Sequence, residues 1–570
     1  MRDNFSFRIK VAYLFIFIFG AVIITRLFFI QVVHGKYYKE LATRQYVAPT
    51  AGFYDRGAIF FKRKDGQLIS AATVKKGFLL AINPKLLENA ETAFEKLSSV
   101  AQIDKEIFFK SAAKKTDIYE EVAHRLDKEQ ADKIMQMKLK GADVYSESWR
   151  FYPAGGTASR VLGFVGYNGD KLEGRYGLEK YYEKILGDRK ENEAGVNFLA
   201  EIIMDIKKTV SSDTLKGDIV LTIEPEAQNF LEETLRTVLK KYDAEMAGGI
   251  VMEPKTGKIL AMSAEPGFDP NNYKEAGNLA LFLNPAVQNV FEMGSIMKPL
   301  TLAASLDQGK ITPKTTYNDK GFVVFNNRRI ENYDGKARGT VDMQEVLNNS
   351  LNTGAVFAMQ QLGREKFLEY VKNYGFGEKT GIDLPDEVAG LISNLNSNRD
   401  IEFATASFGQ GIAVSPIEMA SALSSLANGG LLMRPYVVEK IKSEDGSDKN
   451  TELQERRRVL KKETSEEISR MLVNVVDKAL LDGTYKLDHY TVAAKTGTAQ
   501  SIKKAGEKGY NEEEYIHTFF GYAPGFDAKF LTFLYLVKPQ GVKYASHSLT
   551  EPFINMTKFL LNYYQIPPDR

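Results

Sequence analysis

Three short segments carry side chains that can do chemistry together: Ser295-Ile296-Met297-Lys298, Ser350-Leu351-Asn352 and Lys495-Thr496-Gly497-Thr498. In that order they describe a serine acyl-transfer site whose base is a lysine. A serine hydroxyl is a weak nucleophile at its free pKa and needs an adjacent base. Lysine can serve where burial and nearby cations lower its pKa. Cysteine is absent, which excludes disulfides, cysteine nucleophiles and thiolate metal sites. With five histidines and no His-x-x-x-His pair, no metal is expected.

Each fragment also occurs elsewhere, so local context must select among the copies. Ser-x-x-Lys recurs at Ser111/Lys114 and Ser501/Lys504, and Lys-Thr-Gly at Lys255 and Lys379. Ser295 follows Gly294 and precedes Pro299 and an apolar run. Proline fits only the first turn of a helix, so a helix is expected to start near Ser295. Lys298 then lies about one turn on, with its amine in reach of the hydroxyl. The helix N-terminus offers unpaired N–H groups and a positive dipole end to a developing oxyanion. Ser111 sits in Lys-Ser-Ala-Ala-Lys-Lys, expected to be a solvated face, and Ser501 opens a polar run expected to be a loop. Lys255 falls in a hairpin turn between apolar runs, and Lys379 in a glycine-rich loop. Lys495 follows Tyr-Thr-Val-Ala-Ala. Small and β-branched residues of this kind suit an edge strand that comes close to a ligand.

The chain has 570 residues, enough for two or more domains. Hydrophobic residues are 44% and charged residues 26%, an ordinary globular balance. A net charge of +2 gives no argument for a nucleic-acid partner. Arg2, Arg8 and Lys10 precede an apolar run that begins at Val11 and, interrupted at Arg26, continues to Val33. That length is about enough to cross a bilayer, which takes roughly 20 residues. No small-x-small cleavage site follows, so a retained transmembrane anchor over 11–33 is expected, with 1–10 as a cytoplasmic tail. Lys36, Lys39 and Arg44 weaken the charge asymmetry. The short N-terminal flank still favours a cytoplasmic N-terminus and an extracytoplasmic remainder.

Residues 34–216 are expected to form one mixed domain without readable chemistry. Within it, 83–144 reads as charged helix, 161–166 as an apolar strand, and Gly177 opens a helix. Glu179 is expected to be salt-bridged or at the surface. Residues 217–570 read as a second unit. A strand at Asp218 leads to a helix over 225–242 and the hairpin around Lys255. Helices are expected over 341–362 and 416–428, strands at Lys495, 518–523 and 530–537, and a closing helix over 552–564. Strands at both ends with helices between predict one mostly antiparallel sheet faced by helices, an α+β fold.

Further segments fall in a telling order. They are Arg56-Gly57-Ala58-Ile59, Arg150-Phe151-Tyr152-Pro153, Tyr176-Gly177-Leu178-Glu179, Thr256-Gly257-Lys258-Ile259, Phe268-Asp269-Pro270-Asn271, Phe408-Gly409-Gln410-Gly411 and Ala427-Asn428-Gly429-Gly430. With the three catalytic motifs, they resemble a class B penicillin-binding protein over nearly the whole chain, most of all the division-specific FtsI type. Met293 stands where the family usually has proline, and the stretch after Ile59 is looser than its usual Asp-Arg-Asn-Gly. The resemblance implies a penicillin-binding transpeptidase domain of the serine β-lactamase-like fold, on an N-terminal pedestal of the dimerisation type. It implies peptidoglycan stem peptides ending in D-Ala-D-Ala as substrate, covalent inhibition by β-lactams, and no cofactor. The region before Gly217 lacks a glycosyltransferase signature, so the partners implied are an FtsW-type glycosyltransferase and other division proteins at the membrane.

The same resemblance gives roles. Ser295 attacks the penultimate D-Ala carbonyl and Lys298 takes its proton. Ser350 relays a proton to the leaving D-Ala, and Asn352 holds Lys298 and a substrate amide. Lys495, Thr496 and Thr498, around Gly497, hold the terminal carboxylate. The N–H groups of Ser295 and Thr498 form the oxyanion hole. Other readings use the same motifs: an elongation-type transpeptidase, a D,D-carboxypeptidase, a β-lactamase or a β-lactam sensor. A β-lactamase would be shorter and would need a deacylating glutamate, which has no evident place here.

Overall fold

The strand Phe530–Val537 is buried at every position. Its side chains alternate between two cores: Leu531, Phe533 and Tyr535 enter one, Phe530, Leu534 and Leu536 the other. A period of two puts successive side chains on opposite faces, so this strand must be covered on both. It is the middle of a five-stranded sheet ordered Ala493–Ile502, Tyr510–Ala523, Phe530–Val537, Met246–Met252, Ile259–Glu265. All four pairings are antiparallel. The strand that carries Lys495 is at the edge.

Helices Pro225–Lys241 and Thr550–Tyr563 cover one face. Phe230 stacks on Phe559 at 4.3 Å and Phe519 on Phe553 at 4.4 Å. Helices Lys298–Asp307, Pro416–Ala427 and Lys462–Asn474 cover the other. Their starts are written locally. Pro225 occupies a first turn while the Glu224 side chain accepts from Ala227 N. Ser415 and Glu418 form a capping box around Pro416.

This computed structural model describes residues 55–169, 171–187, 216–325, 327–443, 445–502 and 509–570, with four isolated positions before them. Contacts divide it into two compact units. The smaller is Val74–Trp149 with the chain before Arg56; the larger is Arg56–Thr73 with Arg150–Arg570. The expected tail and anchor, 1–33, lie outside the described residues apart from those isolated positions. Among the described residues, no helix is long and apolar enough to cross a membrane.

In the smaller unit, the expected run of helix over 83–144 is broken into pieces. Helices Ala90–Ser98 and Lys105–Ala112 are followed by the strand Glu120–Leu126, the helix Lys128–Gln136 and the strand Ala142–Phe151. Asn89, Asp104 and Asp127 cap the three helices by accepting from the N–H three residues on. Charge content hid these cuts. Ser111, expected on a solvated face, is buried with Phe108 and Ala112, and its Oγ donates to Glu120 at 2.9 Å.

In the larger unit, the apolar segment 161–166 is a short helix, Ser159–Leu162, followed by a strand, Val165–Asn168. Gly163 between them has φ +71, and a Cβ there would meet Tyr176 O at 1.9 Å. The expected helix over 341–362 is two, Met343–Asn348 and Asn352–Leu362, with Ser350 at φ +53 in the break. Ser501 lies in the edge strand and is buried rather than in a loop. Glu179 is fully buried, its two oxygens paired with Arg56 at 2.7 Å and Arg150 at 2.6 Å.

Candidate active site

Gly294–Met297 forms a 3-10 turn that runs directly into the helix Lys298–Asp307, with Pro299 in the first turn. The helix thus begins after Ser295 rather than at it. The 3-10 turn has three residues per turn, so Ser295 and Lys298 eclipse on one face. The turn is wedged between two other segments. Gly294 N donates to Gly409 O at 3.1 Å, and Thr518 Oγ1 donates to Met293 O at 2.8 Å. Three glycines permit this closeness. A Cβ on Gly294 would come within 2.9 Å of Thr498 O, one on Gly409 within 2.2 Å of Gly294 O, and one on Gly497 within 2.7 Å of Met293 O. The glycine in Lys-Thr-Gly is therefore a spacing requirement between the Ser295 turn and the edge strand.

Lys298 is completely buried. Its amine donates to Ser350 O at 2.5 Å and to Ser350 Oγ at 3.2 Å. The left-handed backbone at Ser350 lets one residue present both oxygens. Burial first, and the neighbouring Lys495 second, hold the Lys298 pKa well below the usual lysine value. Lys495 is 3% exposed, donates to Thr496 O at 3.1 Å, and is lowered by burial to about 7. No carboxylate contributes to either shift.

Thr498 Oγ1 accepts from Ala545 N at 3.0 Å, which leaves the Thr498 hydrogen to donate elsewhere. Asn352 opens the helix Asn352–Leu362, and its Nδ2 donates to Glu331 O at 2.7 Å. The expected Asn352–Lys298 contact is replaced here: both hydrogen bonds of the Lys298 amine go to Ser350. Ser295, Ser350, Asn352, Lys495, Thr496 and Thr498 line one cleft of about 1190 Å³, the larger of two described. Lys298 lies buried beside it.

Lys255, Lys379, Ser111 and Ser501 are not among the residues that line this cleft. Lys255-Thr256-Gly257 is the turn of the hairpin between strands Met246–Met252 and Ile259–Glu265, and Lys379-Thr380-Gly381 is a loop. Ser111 belongs to the smaller unit. Sequence reasoning missed Thr518, the Ala545 N–H and the aromatic pair Tyr333–Tyr544, whose rings meet at 5.7 Å in the cleft lining. Only Phe408-Gly409-Gln410-Gly411 had a visible signal, its paired glycines. Among the described residues, no group of three or more His, Asp or Glu side chains could hold a metal ion.

The penicillin-binding protein transpeptidase-domain profile matches residues 247–557, and the penicillin-binding protein dimerisation-domain profile matches 55–220. The stage V sporulation protein D of Bacillus subtilis is 31% identical over 563 residues, covering 95% of this chain and 84% of that one. A peptidoglycan D,D-transpeptidase FtsI of Buchnera aphidicola is 26% identical, covering 100% of this chain and 97% of its own. Among solved structures, penicillin-binding protein 3 of Mycobacterium tuberculosis with aztreonam matches with a TM-score of 0.67 at 22% identity, covering 91% of this chain and 98% of that one. Penicillin-binding protein 2X of Streptococcus thermophilus matches with a TM-score of 0.71 at 18% identity, covering 90% and 80%.

Proposed function

Because the chain belongs to the penicillin-binding proteins, as a class B member with a transpeptidase and a dimerisation domain, we propose that it cross-links peptidoglycan stem peptides through a Ser295 acyl-enzyme. The observation that carries this is the fully buried Lys298 amine, eclipsed with Ser295 and bonded to both oxygens of Ser350. A lysine held below its ordinary pKa is a base.

Ser295 Oγ attacks the carbonyl of the penultimate D-Ala while its proton passes to the Lys298 amine. The oxyanion is met by the N–H groups of Ser295 and Thr498, a contribution of several kcal/mol in comparable sites. The C–N bond breaks, and the terminal D-Ala leaves as an amine after receiving that proton through Ser350 Oγ. A Ser295 ester remains. An acceptor amine then attacks the ester, loses a proton through the same groups, and forms the cross-link as Ser295 is regenerated. Lys495, Thr496 and Thr498 hold the donor's terminal carboxylate, and Asn352 holds a donor amide. A β-lactam with its own carboxylate follows the first half of this path and stops at the ester.

Septal synthesis is the duty we assign, supported by whole-length similarity to relatives named FtsI. With it go a membrane anchor over 11–33, an extracytoplasmic catalytic domain from about Gly217, and an FtsW-type glycosyltransferase as partner. The test is product analysis with a donor pentapeptide, with and without an acceptor amine. Cross-linked dimer with the amine supports transpeptidation. Hydrolysis alone under both conditions makes the protein a carboxypeptidase. A stable ester with β-lactam and no peptide turnover makes it a sensor.

A further inference from the structure

His517 is fully buried on the strand Tyr510–Ala523, directly opposite Thr498 in the register of the edge pair. Its ring spans both ends of one short segment. Nε2 lies 3.1 Å from Lys543 O and Nδ1 lies 2.8 Å from Ser548 Oγ. Burial lowers its pKa to about 4, so the ring is neutral near pH 7. A neutral imidazole donates through one nitrogen and accepts through the other. A carbonyl can only accept, so Nε2 carries the hydrogen and Nδ1 receives the Ser548 hydroxyl, for which Ala545 O at 3.3 Å is the more distant acceptor.

Between those two anchors sits Ala545, whose N–H donates to Thr498 Oγ1 at 3.0 Å. Thr498 is thus bounded by His517 across the strand pair and by a main-chain donor that His517 itself holds in place. With a lone pair engaged by Ala545, the Thr498 hydroxyl is oriented to donate into the cleft that it lines. We propose that His517 is a positioning residue for the carboxylate of the donor: it clasps Lys543–Ser548 so that Ala545 N–H aligns the Thr498 hydroxyl. This rests on the assignment of Thr498 to the carboxylate clamp. A buried histidine that only filled the core would affect all substrates alike. A positioning residue affects the ones that carry the carboxylate.

The experiment measures acylation rate constants of the full-length protein with a carboxylate-bearing penicillin and with its methyl ester. Thr498→Val should slow the acid roughly tenfold to a hundredfold and the ester much less. His517→Phe keeps a ring and removes both hydrogen bonds. It should slow the acid roughly threefold to tenfold, with the ester within about twofold. His517→Gln keeps one donor and one acceptor and should recover most of the acid rate. The double variant should be no slower with the acid than Thr498→Val alone, because both act through one hydroxyl. If His517→Phe does not fold, Ser548→Ala, which frees one end of the clasp, carries the same comparison. Equal losses for acid and ester, or no loss for either, would overturn the proposal while the clamp stands if Thr498→Val discriminates. If Thr498→Val does not discriminate, the clamp assignment falls and the role of His517 falls with it.

Discussion

Raising the pH should switch off the carboxylate clamp and leave the nucleophile intact. Burial brings Lys495 to about 7, so it is charged below that pH and neutral above it. kcat/KM, and likewise an acylation rate constant at low ligand, reports the pKa of the free protein. The advantage of a penicillin over its ester should therefore decline above pH 7, about tenfold per unit at first. The decline ends when the neutral amine and the hydroxyls do what binding they can. A charged hydrogen bond is worth about 1.5–3 kcal/mol, so the floor lies roughly tenfold to a hundredfold below the plateau. Lys298 also titrates, but its neutral fraction multiplies both rates and cancels in their ratio. The assay is stopped-flow acylation with acid and ester from pH 6 to 10. Lys495→Arg supplies the control, since its charge persists across that range and its ratio should stay flat. A flat ratio in the unaltered protein would refute the reasoning, as would the same decline in the arginine variant. The stability sign follows from the same shift. The folded pKa lies below the unfolded one, so the unfolded chain binds more protons between about 7 and the ordinary 10.5. The Lys495 contribution to stability must therefore rise with pH across that window.

Four further outcomes follow. Ser295→Ala should abolish labelling by fluorescent penicillin, whereas Ser111→Ala and Ser501→Ala should label normally; label on a folded Ser295→Ala protein would reassign the nucleophile. Gly409→Ala places a Cβ 2.2 Å from Gly294 O at a φ of +82, so it should cut acylation at least tenfold in a protein that still melts cooperatively, and unchanged acylation would show that the turn has slack. A fragment beginning at Gly217 should acylate but melt at a lower temperature, because Arg160 no longer donates to Leu283 O and Pro266 O; a folded fragment that cannot acylate would place an earlier residue in the site. The natural chain should pellet with membranes and retain its N-terminus, and a mature chain starting beyond Val33 would contradict the anchor.

What could be read from the sequence was local chemistry with a strong period or a sharp stop. Pro225, Pro416 and Gly429 mark helix ends because each suits or breaks main-chain bonding within a few residues. The edge position of Lys495 was legible from small and β-branched neighbours. The strands of the smaller unit were not, because Glu120–Leu126 mixes charged and apolar residues with no clean alternation. The break at Ser350 was hidden too: its left-handed backbone is favoured by contact with Lys298, which lies 52 residues away in sequence. Thr518 and Ala545 act on the site through a hydroxyl and a main-chain N–H, and neither group has a composition signal. Long-range hydrogen bonds that place a motif leave no trace in the motif.

The two buried lysines show why the site has this shape. A carboxylate beside Lys298 would restore its charge and end its use as a base, and one beside Lys495 would fill the clamp. No carboxylate contributes to either shift: burial lowers both amines, and the neighbouring Lys495 lowers Lys298 further. Glu331, Glu345 and Asp482 line the cleft, but none contributes to the shift of either lysine, so a negative charge at Lys495 comes with the ligand. When it arrives at Lys495, it favours the protonated amine there, and the ion pair so formed is neutral overall, so the burial that holds Lys298 low is left in place. A substrate without that carboxylate loses the grip on Lys495 alone, so the acid-to-ester ratio should report on the clamp and not on Lys298.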